Sequence, residues 1–225
     1  MTLLDTFTVN NLEIGCVQMD SNDLDKLIIC KNEVIKELTP SNIFIPPNDT
    51  YISTILNGYG KIFGLLHDNK LIAFASIIFP KNGNQNLGKY LMFDDLQLKQ
   101  VAQFEHGLVI STYRGHGLLK KILIEHLKYI EKDYSFFLST VSPYNIPSLR
   151  TGFSLGQVIK SHIYYHGFER FILYKEFKHL FSFENAIKCN SIEELDIYLS
   201  NGYAARYNFD NKCYLIAKGK VYETI

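Results

Sequence analysis

Between Phe104 and Ile130 an apolar run, a bend with two glycines and a helical repeat follow one another directly. Phe104 to Ile110 predicts a short strand. Ser111-Thr112-Tyr113-Arg114-Gly115-His116-Gly117 predicts a bend, which the two glycines allow to be sharp. From Leu118 onward, Leu119, Ile122, Leu123, Leu127 and Ile130 recur at three- and four-residue steps and specify an amphipathic helix. A strand that feeds a helix through such a bend aims several backbone N–H groups at one point, where the helix dipole adds about half a positive charge. The bend therefore reads as an anion cradle. Gly115 and Gly117 let the backbone approach a phosphate, and Arg114 adds a charge-assisted contact. Taken alone, the same residues also suit a plain tight turn with a surface arginine.

The flanking residues supply more strands and helices. Asp20 to Leu38 carries apolar residues at helical spacing, with Ser21 or Asn22 as cap, and Pro40, Pro46 and Pro47 break regular structure after it. Thr50 to Leu56 is a short helix. Lys61 to His67 and Lys70 to Phe79 are strands joined at Asp68-Asn69, a hairpin signal. Pro80 to Gly88 is polar and is expected to be a mobile loop. Tyr134 to Val141 is a strand, and Ser142 to Asn145 opens a helix ending near Gly156. Val158 to Tyr165 and Arg170 to Phe177 make a hairpin around His166-Gly167. Strands alternating with helices imply an α/β chain with a partly parallel sheet, made mixed by the closing hairpin. This part spans residues 1–177. Residues 178–225 are expected to form a C-terminal helix plus β-hairpin extension. Ser191 to Glu194 matches a capping box, Asn201-Gly202 a helix stop, and Asp210-Asn211 the turn of the hairpin.

Lys plus Arg and Asp plus Glu number 23 each, so a basic surface for nucleic acid or an anionic membrane is not expected. Cys16, Cys30, Cys189 and Cys213 lack the pairing of a zinc site or disulfide framework and read as reduced, buried thiols. The longest apolar run, Leu71 to Phe79, is about half the length of a membrane span. The first residues lack a cationic, long-apolar leader, so a cytoplasmic protein is expected. Neither G-x-G-x-x-G nor G-x-x-x-x-G-K-[ST] occurs, which argues against dinucleotide and P-loop enzymes.

The bend resembles the coenzyme A pyrophosphate loop of the GCN5-related N-acetyltransferase (GNAT) family. There Gln or Arg is followed by two residues, Gly, one residue, and Gly or Ala. Arg114, Gly117 and Leu119 fill those places, with leucine where the pattern has a small residue. Asn145, Ser148 and Gly156 are similar to the family's Asn-x-x-Ser/Ala helix ending in Gly-Phe, with Gln157 in place of Phe. The closing hairpin from Tyr164 to Lys175 also resembles that of the family. The likeness covers roughly Lys61 to Phe177, and more loosely from Asp20.

The resemblance implies a mixed, splayed central β-sheet flanked by helices. It implies acetyl transfer from acetyl-CoA, without a metal, to a primary amine of a small-molecule or peptide acceptor by direct attack. Backbone groups of Leu108, Val109 and Ile110 would pair with the pantetheine arm. Amides of Arg114, Gly115, His116, Gly117, Leu118 and Leu119 would hold the pyrophosphate. Asn145, with Ser148, would bond the pantetheine or acetyl end, although Asn145 also suits a helix cap. Glu105 matches the strand carboxylate used as base, and a surface or ion-paired role is its alternative; His106 points to the opposite face by strand alternation. A backbone N–H at Val109 or Ile110 would stabilise the oxyanion. The usual acid, a Tyr seven residues after the Asn, is Gly152 here, which leaves Tyr144 and Ser148 as substitutes. An inactive coenzyme A-binding or sensor module is the alternative reading. The last 48 residues are expected, apart from the resemblance, to cover the substrate end or a homodimer interface, or else to be a plain structural addition.

Overall fold

The computed structural model describes residues 1–37, 43–217 and 219–222. Leu38 and Pro40, which the sequence places at a helix end and a breaker, lie outside them. The elements in chain order are β1 (Thr2–Val9), β2 (Leu12–Gln18), α1 (Leu24–Lys36), α2 (Asp49–Thr54), β3 (Gly60–His67) and β4 (Lys70–Ile78). Then come α3 (Asp95–Lys99), β5 (Val101–Val109), α4 (Leu118–Ile130), β6 (Phe136–Val141) and α5 (Ile146–Ser154). The chain continues through β7 (Val158–Tyr165), β8 (Phe168–Glu176), β9 (His179–Ser182) and β10 (Ile187–Cys189). It closes with α6 (Ile192–Ser200), β11 (Ala204–Asn208), β12 (Cys213–Ala217) and β13 (Gly219–Tyr222). Among the described residues no helix is long and apolar enough to cross a membrane.

Two compact units form. The first holds Met1–Phe79 and Phe104–Lys132, the second Pro80–Gln103 and Asp133–Ile225. In the first unit the strands run in the order β1-β2-β3-β4-β5. The β1–β2 turn takes Asn10 and Asn11 through φ of 49° and 65°, and the β3–β4 turn takes Asp68 and Asn69 through 49° and 61°. Such paired left-handed residues match the twist of a two-residue hairpin, and Asn and Asp tolerate them. Strand alternation sends Val17, Met19, Ile62, Phe74, Leu108 and Ile110 to α1 and α2, where Leu27, Val34 and Ile52 meet them. It sends Ile14, Phe63 and Leu65 to α4, against Leu118 and Ile122, and a register shift in the β3–β4 pairing at Leu65/Leu66 brings Ile72 to the same side. β1 and β2 had not been expected, although Asn10-Asn11 between two apolar runs is a hairpin signal.

In the second unit the start of β5 is followed by β6-β8-β7-β11-β12-β10. His166 and Gly167 turn the β7–β8 hairpin with φ of 50° and 81°. Leu149 and Phe153 of α5 and Leu195 and Leu199 of α6 cover Ile159, Phe171, Leu173, Ala205 and Ile216. The polar segment after Pro80, expected to be a mobile loop, is instead anchored. Asn86 is fully buried, accepts from Gly88 N and donates to Leu98 O, and Gln103 Oε1 accepts from Leu87 N. Ser191 caps α6 by accepting from Glu194 N at 3.1 Å, and Glu194 reaches back to the Asn190 N–H at 3.1 Å. β11 and β12 join the same sheet as β7, since Ala205 pairs with Ile159 and β12 pairs with β11, and α6 packs over these strands.

Candidate functional site

In the first unit β5 ends at Val109, and Ile110 leads into the bend. The Ile110 N–H donates to Ile72 O at 3.0 Å, which ties the strand end to β4. That bond corrects one expectation: Ile110 N–H is engaged by the sheet and does not serve as an oxyanion donor. Val109 O accepts from Arg114 Nε at 2.9 Å, so the guanidinium is braced across its own turn. Tyr113 N–H donates to Ile110 O and Arg114 N–H to Ser111 O, forming one tight turn. The Tyr113 hydroxyl lies 3.0 Å from His67 Nδ1, which fixes the turn to the β3–β4 hairpin.

Beyond Arg114 the backbone opens. Gly115 and Gly117 take φ of 83° and 70°, a region that favours glycine. Gly117 is the N-cap of α4 and has no side chain to cap it. Among the described residues, the amides of Gly115 to Lys120 have no hydrogen-bond acceptor. A Cβ placed on Gly115 or Gly117 would meet no atom within 4 Å, so no side chain crowds the turn at these two positions. The first amides of a helix that lack a cap are the ones an anion can take. The residues present thus suit a pyrophosphate.

Leu119, which stands where the pyrophosphate pattern has a small residue, turns away from that space. Its methyl groups lie against Gly107, where an added Cβ would come within 2.5 Å of them. Glycine on β5 makes the room that glycine on the helix otherwise would. His116 is exposed, and its Nδ1 lies 2.9 Å from Asn10 Nδ2 of the β1–β2 turn. The amide group is the donor there, so Nδ1 accepts.

Glu105 is half-buried on β5, and its charge acts on Tyr59, whose phenol is raised first by burial and then by Glu105. His106, next along the strand, lies edge-on to Tyr51 and Phe44, with ring centroids 5.8 Å and 6.5 Å away. Burial pushes its imidazole down to about 4, so it is neutral near pH 7. Phe44, Tyr51 and Tyr59 were not singled out in the sequence, because their meeting depends on how α2 returns to β5.

In the second unit Asn145 caps α5, its Oδ1 accepting from Ser148 N at 3.2 Å, with Pro147 in the first turn. Asn145→Ala is expected to lower stability by about 1 kcal/mol, read from the denaturation midpoint. Ser148 is half-buried. Tyr144 is exposed, and its hydroxyl lies 3.4 Å from Glu169 Oε2. Gly152 is packed so closely that an added Cβ would come within 2.5 Å of Leu173 Cδ1. A side chain at this position would require Leu173 to move. Gln157, in place of the pattern's Phe, is buried with Nε2 3.2 Å from Ser139 Oγ. Among the described residues no group of three His, Cys, Asp or Glu side chains could hold a metal ion.

No protein-family model and no curated protein matches the chain. Solved structures do. An acetyltransferase of the GNAT family from Streptococcus pneumoniae aligns with a TM-score of 0.56 at 12% identity, over 72% of this chain and 99% of that one. The Arabidopsis thaliana NAA60 structure, in complex with a bisubstrate analogue, gives 0.55 at 18%, over 72% and 97%. The aminoglycoside acetyltransferase AAC(6')-Ib, in complex with coenzyme A, gives 0.55 at 12%, over 72% and 94%. The chain has the GNAT fold.

Proposed function

We propose that this chain is an acetyl-CoA-dependent N-acetyltransferase that acts on a primary amine. The observation that carries the reading is the open row of amides from Gly115 to Lys120 at the start of α4. The amides of Gly115 to Leu119 bind the pyrophosphate, with the helix dipole behind them. Val109 and Leu108 offer the strand end to the pantetheine amides. When bound, acetyl-CoA supplies an activated thioester whose acetyl group passes to the amine with release of the thiol. Glu105 removes a proton from the amine, directly or through water, because an ammonium has no lone pair with which to attack.

The experiment is a pair of measurements. Acetyl-CoA should raise the melting temperature saturably. Glu105→Gln should leave that shift intact and lower kcat by roughly 10²-fold or more. No thermal shift with acetyl-CoA would end the reading. Gly152, which carries no side chain where the family pattern has its acid, favours a second reading of a coenzyme A-binding module without turnover. Tight cofactor binding with no thiol release across an amine panel would select it.

A further inference from the structure

Arg170 of β8 is only 5% exposed, yet no acidic side chain among the described residues pairs with it. Its Nη1 donates to the carbonyl of Glu169 at 2.8 Å, and its guanidinium lies 5.3 Å from the Phe168 ring centroid. Glu169, the acid beside it in the chain, is turned instead to the Tyr144 hydroxyl, which lies 3.4 Å from Oε2. Burial lowers the pKa of the guanidinium below its ordinary value, and no neighbouring charge of either sign acts on it. A charge withdrawn from water without a partner is destabilising, so arginines that only pack are ordinarily paired. The guanidinium is nevertheless within reach of a ligand. The described side-chain nitrogens that are both closed to solvent and without a partner belong to His106, His126 and His162, and none to Arg170. Its Nε and Nη2, which no protein acceptor among the described residues engages, therefore open on solvent at the mouth of the recess.

Strand alternation sends Phe171 and Leu173 towards α5 and α6, and Arg170 with Tyr174 to the opposite face of β8. Phe168 of β8 and Ile163 of β7 share that face, since Ile163 pairs with Arg170. Val141 of β6 pairs with Phe171, which brings Ser142 level with Arg170, and Ser142 O accepts from the Asn145 N–H at 2.9 Å. Arg170 thus stands beside the segment that the GNAT resemblance gives to the acetyl end of the cofactor. Resting on the acetyltransferase reading, we infer that Arg170 is the site for a carboxylate on the acceptor, with Nε and Nη2 each donating to one of its oxygens. The planar fork of a guanidinium matches the two oxygens of a carboxylate. One cation with no second beside it balances a monoanion rather than a phosphate dianion. The acceptor is therefore an amino acid, with a primary amine and a carboxylate on one small molecule. A polyamine would bring like charge to the guanidinium and is disfavoured. Arg170 acts as a specificity residue.

The test uses the full chain at saturating acetyl-CoA, with thiol release as readout. L-phenylalanine, 4-aminobutyrate and 6-aminohexanoate are compared with 2-phenylethylamine, n-butylamine and n-hexylamine, which lack the carboxylate, and O-phosphoethanolamine and spermidine complete the panel. At least one amino acid should exceed its matched amine in kcat/KM by about tenfold or more. Arg170→Met should bring that ratio close to one, and Arg170→Lys, which keeps the charge without the fork, should hold part of it. Circular dichroism shows whether each variant folds; if Arg170→Met does not, the ratios of the unaltered chain decide the matter. Four results overturn the inference alone: every amino acid at or below its matched amine, O-phosphoethanolamine or spermidine ahead of all of them, a ratio that survives in folded Arg170→Met, or no turnover with any acceptor despite intact acetyl-CoA binding. Absence of acetyl-CoA binding by the unaltered chain overturns it together with the acetyltransferase reading.

Discussion

Gly117→Val is expected to weaken acetyl-CoA binding by roughly 10²-fold or more. Gly117 holds φ at 70° and forms the N-cap of α4, with no atom within 4 Å of where a Cβ would stand. A valine there does two things. Its side chain enters the space proposed for the pyrophosphate. A β-branched residue in the left-handed region is also strained by about 1–3 kcal/mol. The turn then relaxes, and the amides of Gly115 to Leu119 no longer converge on one anion. Charge-assisted bonds contribute about 1.5–3 kcal/mol each, so losing two of them accounts for the effect. Titration calorimetry with acetyl-CoA measures it, and circular dichroism shows whether the fold persists. A folded Gly117→Val protein that binds acetyl-CoA with unaltered Kd would remove the cradle from the proposed function.

The second large effect concerns stability and lies away from the cradle. His126 on α4 is fully buried and stacked on Phe63, with ring centroids 4.4 Å apart and an angle of 8° between planes. Neither ring nitrogen has a hydrogen-bond partner among the described residues. Burial pushes its pKa down from 6.5 to about 3. In the unfolded chain the imidazole gains a proton below its ordinary pKa, while in the folded chain it stays neutral until about pH 3. The unfolded state therefore binds more protons between those values, and stability falls as the pH drops through that window. Between pH 7 and pH 4 this one group removes about 3 kcal/mol. His106, pushed down by the same cause, acts in the same direction. His126→Leu is expected to stabilise the protein by about 1–2 kcal/mol at pH 7, because two unpaired nitrogens leave the core while the ring stacking is lost. At pH 4 the gain should be about 3 kcal/mol larger. Urea denaturation at the two pH values measures both quantities. Equal gains at pH 7 and pH 4 would show that His126 is not neutral in the fold.

Parts of the fold written in local rules were legible in the sequence. α4 runs from Leu118 to Ile130, the span set by its apolar repeat. The Asp68-Asn69 and His166-Gly167 turns, the Asn145 cap and the Ser191 cap occur where side-chain chemistry and backbone preference demand them. Each depends on residues within a few positions of one another. Less legible was anything that required distant segments to meet. The segment after Pro80 looked loose because its composition is polar, yet Asn86 satisfies three backbone groups only once the chain has folded back on itself.

The candidate site divides the same way. Arg114, Gly115 and Gly117 announce a sharp turn before a helix, and local geometry alone makes that turn an anion cradle. The sequence determined this much because φ, capping and helix dipole are properties of neighbours. Three other facts were decided by tertiary packing. Leu119 leaves the cradle open because Gly107 of β5 receives it, and the space beside Gly152 is taken by Leu173 of β8. The Ile110 N–H is withdrawn by Ile72 of β4. Side-chain volume and hydrogen-bond partners are shared between strands far apart in the chain, so no window of sequence contains them.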